Sequence, residues 1–314
     1  MFLKGQQVGK YQILETLGVG GFGAVYLAID SWLDKKVALK VPHKQSDDLF
    51  QLLKESRLHA ALNHPNIVRL VTAEKAEEVF FMVMEYVKGE SLESILDREK
   101  TLDVKRATDY LRQACLGLMH AHQNHVLHRD LRPSNLLVSD AGQIKITDFG
   151  TSTIIESKAY AQTRIGSPPY MAPEQFQGKA VLASDIYSLG CIFYEMISGA
   201  PPLFHPNPAI MEKLATQGKI TPLKIKNPAV PRALNDVCMK ALATDVKERY
   251  QSVADILGDM DAALGVTRKE SQMEDIRSRL KAREEASRAR RCWNCHRPLP
   301  PRAQRCNYCN EVQK

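Results

Sequence analysis

Three acceptor side chains stand at fixed offsets in the middle of the chain. Residues 128–135 read His-Arg-Asp-Leu-Arg-Pro-Ser-Asn, and Asp148-Phe149-Gly150 follows 13 residues after Asn135. The Asp130 carboxylate can take up the proton of a hydroxyl. The amide oxygen of Asn135 and the carboxylate of Asp148 can hold a hard divalent cation. Together they suit in-line phosphoryl transfer, which needs an oriented attacking oxygen and a neutralised phosphate. Asp and Asn are also common loop residues, so the reading rests on the three occurring together beside Phe149-Gly150.

Such a set needs a nucleotide held against it, and the N-terminal part supplies candidates. Gly18, Gly20 and Gly23 fit G-x-G-x-x-G, with Leu17 before them and Val25 after them. Glycines let backbone N–H groups approach phosphates closely. A dinucleotide-binding turn shares the pattern but opens a helix, whereas Ala24-Val25-Tyr26-Leu27-Ala28 continues with strand-like alternation. Val37-Ala38-Leu39-Lys40 then ends on a cation, and residues 80–87 (Phe-Phe-Met-Val-Met-Glu-Tyr-Val) read as a buried strand.

With these motifs on the page, residues 11–260 closely resemble the protein kinase family, in particular its bacterial Ser/Thr branch. The resemblance implies an α+β, bilobal fold with a small β-rich N-lobe and a larger helical C-lobe. It implies that Asp130 acts as catalytic base, that Asn135 and Asp148 hold Mg²⁺ (or Mn²⁺), and that Lys40 grips the α/β-phosphates of ATP. Glu55 would hold Lys40, since it lies nine residues before His64-Pro65-Asn66 on an amphipathic stretch. Lys54 competes with it for the inward position, and spacing favours Glu55. Backbone groups around Glu85–Val87 would bind adenine, Val25, Ala38 and Leu137 would sandwich it, and Met84 would guard the space behind. Glu174 would pair with Arg249, and Asp185 would bond the backbone of the catalytic loop.

Two residues depart from that pattern. Arg132 stands where the Ser/Thr branch usually carries a Lys that neutralises the transferring phosphate. A planar guanidinium is not a conservative exchange for an ammonium, and activity is expected to survive with an altered rate. His59, four residues after Glu55, takes a place usually held by Leu or Met, with Leu70, His128 and Phe149 as its expected neighbours. A satisfied core histidine and a pH-sensitive switch are both open there. Ser167 retains a hydroxyl where Thr is favoured. Arg129, just before the base, fits a segment ordered by phosphorylation, with Thr163 the leading site among Thr151, Ser152, Thr153, Ser157 and Thr163.

Composition agrees with this class. The chain has 314 residues, 44% of them hydrophobic and 25% charged, as in soluble globular proteins. No apolar run reaches the ~18–20 residues of a membrane span, and the N-terminus does not read as a signal peptide. The expectation is a cytoplasmic protein in which Cys115, Cys191 and Cys238 are buried thiols. The net charge of +7 resides in residues 268–314, which hold 13 Lys+Arg against 6 Asp+Glu. Residues 267–291 read as a charged helical linker with an apolar stripe too short for a coiled coil.

Cys292-Trp293-Asn294-Cys295 and Cys306-Asn307-Tyr308-Cys309 form two C-x-x-C knuckles ten residues apart, resembling a zinc ribbon with a structural Cys₄ site. His296 reads as a bystander. The expected organisation is a kinase domain over 11–265 (N-lobe about 11–86, C-lobe about 87–265), a linker over 266–291 and a ribbon over 292–314. ATP and protein substrates would be its partners, and the ribbon would recruit a protein. Nucleic acid is the weaker alternative for the ribbon, with Trp293 and Tyr308 able to stack on bases. The rival to catalysis is a pseudokinase scaffold that holds ATP without transferring phosphate.

Overall fold

The computed structural model describes residues 2–20, 23–43, 49–76, 79–149, 153–154, 166–265, 292–295, 299 and 304–313. The chain separates into two compact units, Met1–Met260 and Asp261–Lys314.

The first unit begins with strands β1 (Gln7–Val8), β2 (Tyr11–Gly20), β3 (Gly23–Asp30) and β4 (Lys35–Pro42), then helix α1 (Leu49–Ala60), then β5 (Leu70–Ala76) and β6 (Val79–Glu85). The strands make one antiparallel sheet in the order β1-β2-β3-β4-β6-β5. Side chains alternate faces along a strand, and this period separates two roles. Ala24, Tyr26, Ala28, Val37, Leu39, Phe81 and Val83 point into the core of the lobe. Val25, Ala38 and Met84 point the other way and pack with Val68, Leu70, Val87 and Leu137. Register places Val25 opposite Lys40 and Ala38 opposite Met84, so Lys40 shares that second face. Gly23 has φ +156°, and a Cβ there would lie 2.3 Å from the Val41 carbonyl oxygen, so only glycine fits where the turn re-enters the sheet.

Next come β7 (Gly89–Ser91), α2 (Leu92–Glu99), α3 (Val104–Gln123), β8 (Val126–Leu127), β9 (Leu136–Ser139), β10 (Ile144–Ile146) and β11 (Thr153–Ile154). Asp103 caps α3 by accepting from the Arg106 N–H at 2.9 Å, and Ser91 caps α2 from the Ser94 N–H. Gly117 lets α3 pass against the loop before β5, since a Cβ there would meet the Asn66 carbonyl oxygen at 2.6 Å. That loop is stitched to β10: the Val68 N–H donates to Ile146 O, and the Ile146 N–H to Asn66 O. The two lobes thus share a hydrogen-bonded seam.

Among the described residues six further helices follow: α4 (Pro173–Phe176), α5 (Leu182–Ser198), α6 (Pro208–Gln217), α7 (Leu223–Lys226), α8 (Arg232–Ala241) and α9 (Val253–Ala263). Helix α5 is apolar almost all round and buried on nearly every position, as expected of a central helix wrapped by others. Cys191 on α5, Cys115 on α3 and Cys238 on α8 are buried thiols. No described helix is long and apolar enough to cross a membrane.

Two buried carboxylates anchor the loops that α5 faces. Arg249, fully buried, donates to Glu174 Oε1 and Oε2 at 2.7 and 3.2 Å and to the carbonyls of Ala183 and Ala243. This is the ion pair expected from the sequence. Asp185, fully buried, accepts from the backbone N–H groups of His128 and Arg129 and from His122 Nε2, each at 2.9 Å.

Removing one partner of a buried ion pair leaves an uncompensated charge. Arg249→Met is therefore expected to lower unfolding free energy by about 3–5 kcal/mol, read as a fall in the denaturant midpoint.

Candidate active site

Between the two lobes lies a cleft of about 650 Å³. Leu17, Gly18, Gly20, Gly23, Val25 and Ala38 line it from the sheet, Glu85 and Val87 from the segment joining the lobes, and Leu137 from β9. Lys40, Asp130, Arg132, Asn135 and Asp148 line its inner end. Of the residues expected at an ATP site, only Glu55 is not among them. It lies on α1, and its side chain falls outside the described residues. Of the hydroxyls expected to be phosphorylated, Thr153 stands in β11 with its side chain outside the described residues, and Thr151, Ser152, Ser157 and Thr163, like the linker 266–291, fall outside them altogether.

The connecting strap is held from both sides. Glu85 Oε1 accepts from Lys145 Nζ at 2.8 Å and from the Arg69 N–H at 2.9 Å, while the Glu85 N–H donates to Arg69 O. Lys40 Nζ donates to Asp148 Oδ1 at 2.6 Å across the inner end. Asp148 itself has φ +63° and Arg129 +69°, conformations costly for non-glycine residues and kept only where surroundings over-determine them. At Arg129 the two backbone bonds to Asp185 do so.

Asn135 Nδ2 donates to the Asp130 carbonyl at 2.8 Å, which leaves the amide oxygen as the acceptor atom of the Asn135 side chain. One Asp130 carboxylate oxygen accepts from Ser167 Oγ at 2.8 Å. Burial pushes the Asp130 carboxyl above the usual carboxylate range and Asp148 adds to this, while the Ser167 hydroxyl, His128 and Arg132 oppose it. Arg132 donates through Nη1 to Ser167 Oγ at 3.1 Å and through Nε to Ser134 Oγ, and its Nη2 lies 3.5 Å from Glu93. Sequence reading missed Glu93 and Ser134. Ser134 stood inside the quoted motif, whereas nothing in the spacing of Glu93 pointed to Arg132.

His59 is buried, with its ring 5.5 Å from that of Phe149, which in turn meets His128 edge-on at 4.8 Å. His59 Nε2 lies 2.6 Å from the Val68 carbonyl oxygen and must donate to it, so the neutral ring carries its proton there. Burial lowers the imidazole to about 4, against the smaller opposing effect of the Val68 carbonyl. It is a satisfied core histidine, with no charge change near neutrality for a pH switch to use.

In the second unit, Cys292, Cys295, Cys306 and Cys309 bring their Sγ atoms within 4.8 Å of one another. The pairs Cys292–Cys309 and Cys295–Cys306 are each 3.5 Å apart. Four sulfurs at ~2.3 Å from a tetrahedral Zn²⁺ would stand about 3.8 Å apart, so the cage fits that ion. Desolvation alone would raise the Cys292 thiol, but the N–H groups of Cys295 and Asn294 together with the Cys309 and Cys295 thiols outweigh it and lower the thiol to about 6. A residue pair Arg305–Val312 bridges antiparallel, and Gln313 Nε2 donates to Cys292 Sγ at 3.3 Å.

Comparison with known proteins gives one consistent result. The family described as "Protein kinase domain" matches residues 11–259. The chain is 34% identical to the serine/threonine-protein kinase PrkC of Bacillus subtilis over 267 residues, which are 83% of this chain and 41% of that protein. It is 35% identical to the serine/threonine-protein kinase PknB of Mycobacterium tuberculosis over 264 residues, 80% of this chain and 42% of that one. With a probable serine/threonine-protein kinase PknB of Bifidobacterium longum it shares 32% over 302 residues, 89% of this chain and 44% of that one. The chain thus matches about two-fifths of the length of these curated relatives.

The His59 environment predicts a pH effect with a definite sign. Between its ordinary 6.5 and about 4, the unfolded chain binds a proton that the folded chain refuses. Stability contributed by the neutral ring is complete above pH 6.5 and falls below it by up to ~1.4 kcal/mol per pH unit. Urea unfolding of His59→Leu across that range is expected to show a flatter dependence than wild type, with the two curves parallel above pH 6.5.

Proposed function

The chain belongs to the protein kinase family, and on that premise we propose that it transfers the γ-phosphate of ATP to Ser or Thr hydroxyls of proteins. The observation that carries this reading is the convergence of Lys40, Asp130, Asn135 and Asp148 on one cleft that Val25, Ala38, Met84, Val87 and Leu137 line with apolar side chains. Adenine would lie between Val25 and Ala38 on one side and Leu137 on the other, against the backbone of Glu85–Val87. Gly18, Gly20 and Gly23 would admit the phosphates, with Leu17 closing over them.

In this mechanism Lys40, which donates to Asp148, would turn to the α/β-phosphates, with Glu55 holding it from α1. Asn135 offers an amide oxygen and Asp148 a carboxylate, a hard oxygen pair suited to Mg²⁺ or Mn²⁺. When bound, that ion supplies neutralisation of the phosphate oxygens. Asp130 orients the substrate hydroxyl and receives its proton as the oxygen bonds to the γ-phosphorus and ADP leaves with the bridging electron pair. A carboxyl raised by burial is a better base than an exposed one. Arg132, in place of the usual Lys, would face the γ-phosphate. Arg129 would pair with a phosphate on the segment that contains Thr163.

The cysteine cage supports a structural Zn²⁺ held by Cys292, Cys295, Cys306 and Cys309, so that metal binding supplies the folding energy of the ribbon over 292–314. Trp293 and Tyr308 are 59% and 50% exposed, which supports recruitment of a protein through that ribbon, with the charged segment 266–291 as spacer. The kinase domain would span 11–265, and the whole would work in the cytoplasm.

Purified protein incubated with Mg²⁺ and γ-labelled ATP is expected to label itself or an added Ser/Thr substrate, and Asp130→Asn to lower the rate about 10²–10⁴-fold. Unlabelled wild type that still binds ATP would make the scaffold reading the better one. Elemental analysis is expected to find one zinc per chain, and Cys306→Ser to lose it.

A further inference from the structure

Arginine at position 132 raises a geometric problem that a lysine would not. An ammonium is a point charge that can swing to a phosphate from many directions, whereas a guanidinium is planar and must be held in its plane. In this chain each nitrogen of Arg132 has a partner on a different side. Its Nε donates to Ser134 Oγ, its Nη1 to Ser167 Oγ at 3.1 Å, and its Nη2 lies 3.5 Å from Glu93 Oε1. The Arg132 backbone is extended (φ −157°, ψ 164°) just before the 3₁₀ turn Pro133–Asn135. Glu93 sits in the first turn of α2 and lines the same cleft.

We propose that Glu93 and Ser134 are positioning residues that fix the Arg132 guanidinium so that it can serve the γ-phosphate in place of a lysine. The proposal rests on the assignment of Arg132 to that phosphate. Ser167 is shared with Asp130, to which it donates at 2.8 Å, so its bond to Arg132 also registers the guanidinium against the base. Glu93 lies in a negative neighbourhood: the Glu195 carboxyl is raised first by burial and then, against the Tyr170 hydroxyl bond, by Glu93 and Asp97. That field favours a cation beside Glu93. The Glu93 and Arg132 side chains are 50% and 36% exposed, so the pair adds little to stability. What it supplies is a fixed direction for the guanidinium.

The test is a cycle of Glu93→Gln and Ser134→Ala, each made in wild type and in an Arg132→Lys background. Steady-state kcat and both KM values would be measured, together with the relative affinity for Mg²⁺·AMPPNP over Mg²⁺·ADP and the melting temperature. In the arginine background each change is expected to lower kcat about 3–10-fold and to lower the AMPPNP preference, with KM for ATP and melting little changed. In the lysine background the same changes are expected to have effects under about two-fold, because an ammonium needs no plane held. Equal losses in both backgrounds, or none with arginine, would overturn the proposal. The affinity ratio needs no turnover, so it decides the positioning role even in protein that transfers no phosphate. Absence of transfer by wild type counts against the proposed function alone.

Discussion

The geometry of the inner cleft depends on one buried carboxylate. Asp185 is fully buried, and a bare charge in that position would be prohibitively costly. It is satisfied by three donors, two of them the backbone N–H groups of His128 and Arg129. Because those donors belong to adjacent peptides, the carboxylate dictates the path of the chain into Asp130 and makes a left-handed Arg129 tolerable. Helix α5, buried on nearly all sides, is stiff enough to serve as the fixed end of this linkage. The Glu174–Arg249 pair does the same for the segment that brings Ser167 to Asp130. In both cases buried charge determines conformation more than it adds stability.

A second constraint joins the lobes. Residues 66–68 bond to β10 through backbone groups, and Glu85 bonds to Lys145 from the segment that crosses between lobes. The face of the sheet that carries Val25, Ala38 and Lys40 is therefore held over Leu137, Asn135 and Asp148. The Lys40–Asp148 contact at 2.6 Å is the direct outcome, two opposite charges facing each other across the cleft. His59 belongs to the same seam, with its proton on Val68 and its ring on Phe149.

The cysteine unit follows a different logic. Among its described residues the interior consists of Cys292, Cys306 and Leu299, with Cys295 and Cys309 against them, far too little apolar surface to fold a chain. Two short turns whose N–H groups point at sulfur replace a core. Cys295 N–H and Gln313 Nε2 both reach Cys292 Sγ, which favours the thiolate that a metal requires.

Much of this was legible in the linear chain. Alternation in residues 11–41 identified the strands, the glycines marked the turn, and the spacing of Asp130, Asn135 and Asp148 identified the chemistry. Cys-x-x-C repeated across ten residues announced the cage. These features are local, because a strand's period, a turn's glycines and a motif's offsets are set by covalent geometry over a few residues. Tertiary structure decided the rest. That Lys40 meets Asp148, that Glu85 is tied to Lys145, that His59 donates to Val68 and that Glu93 stands beside Arg132 are contacts between residues 9 to 108 positions apart. Spacing carries no information about such pairs. Only the packing of lobe on lobe and helix on loop brings those charges within reach, and distance and burial together determine what each one does.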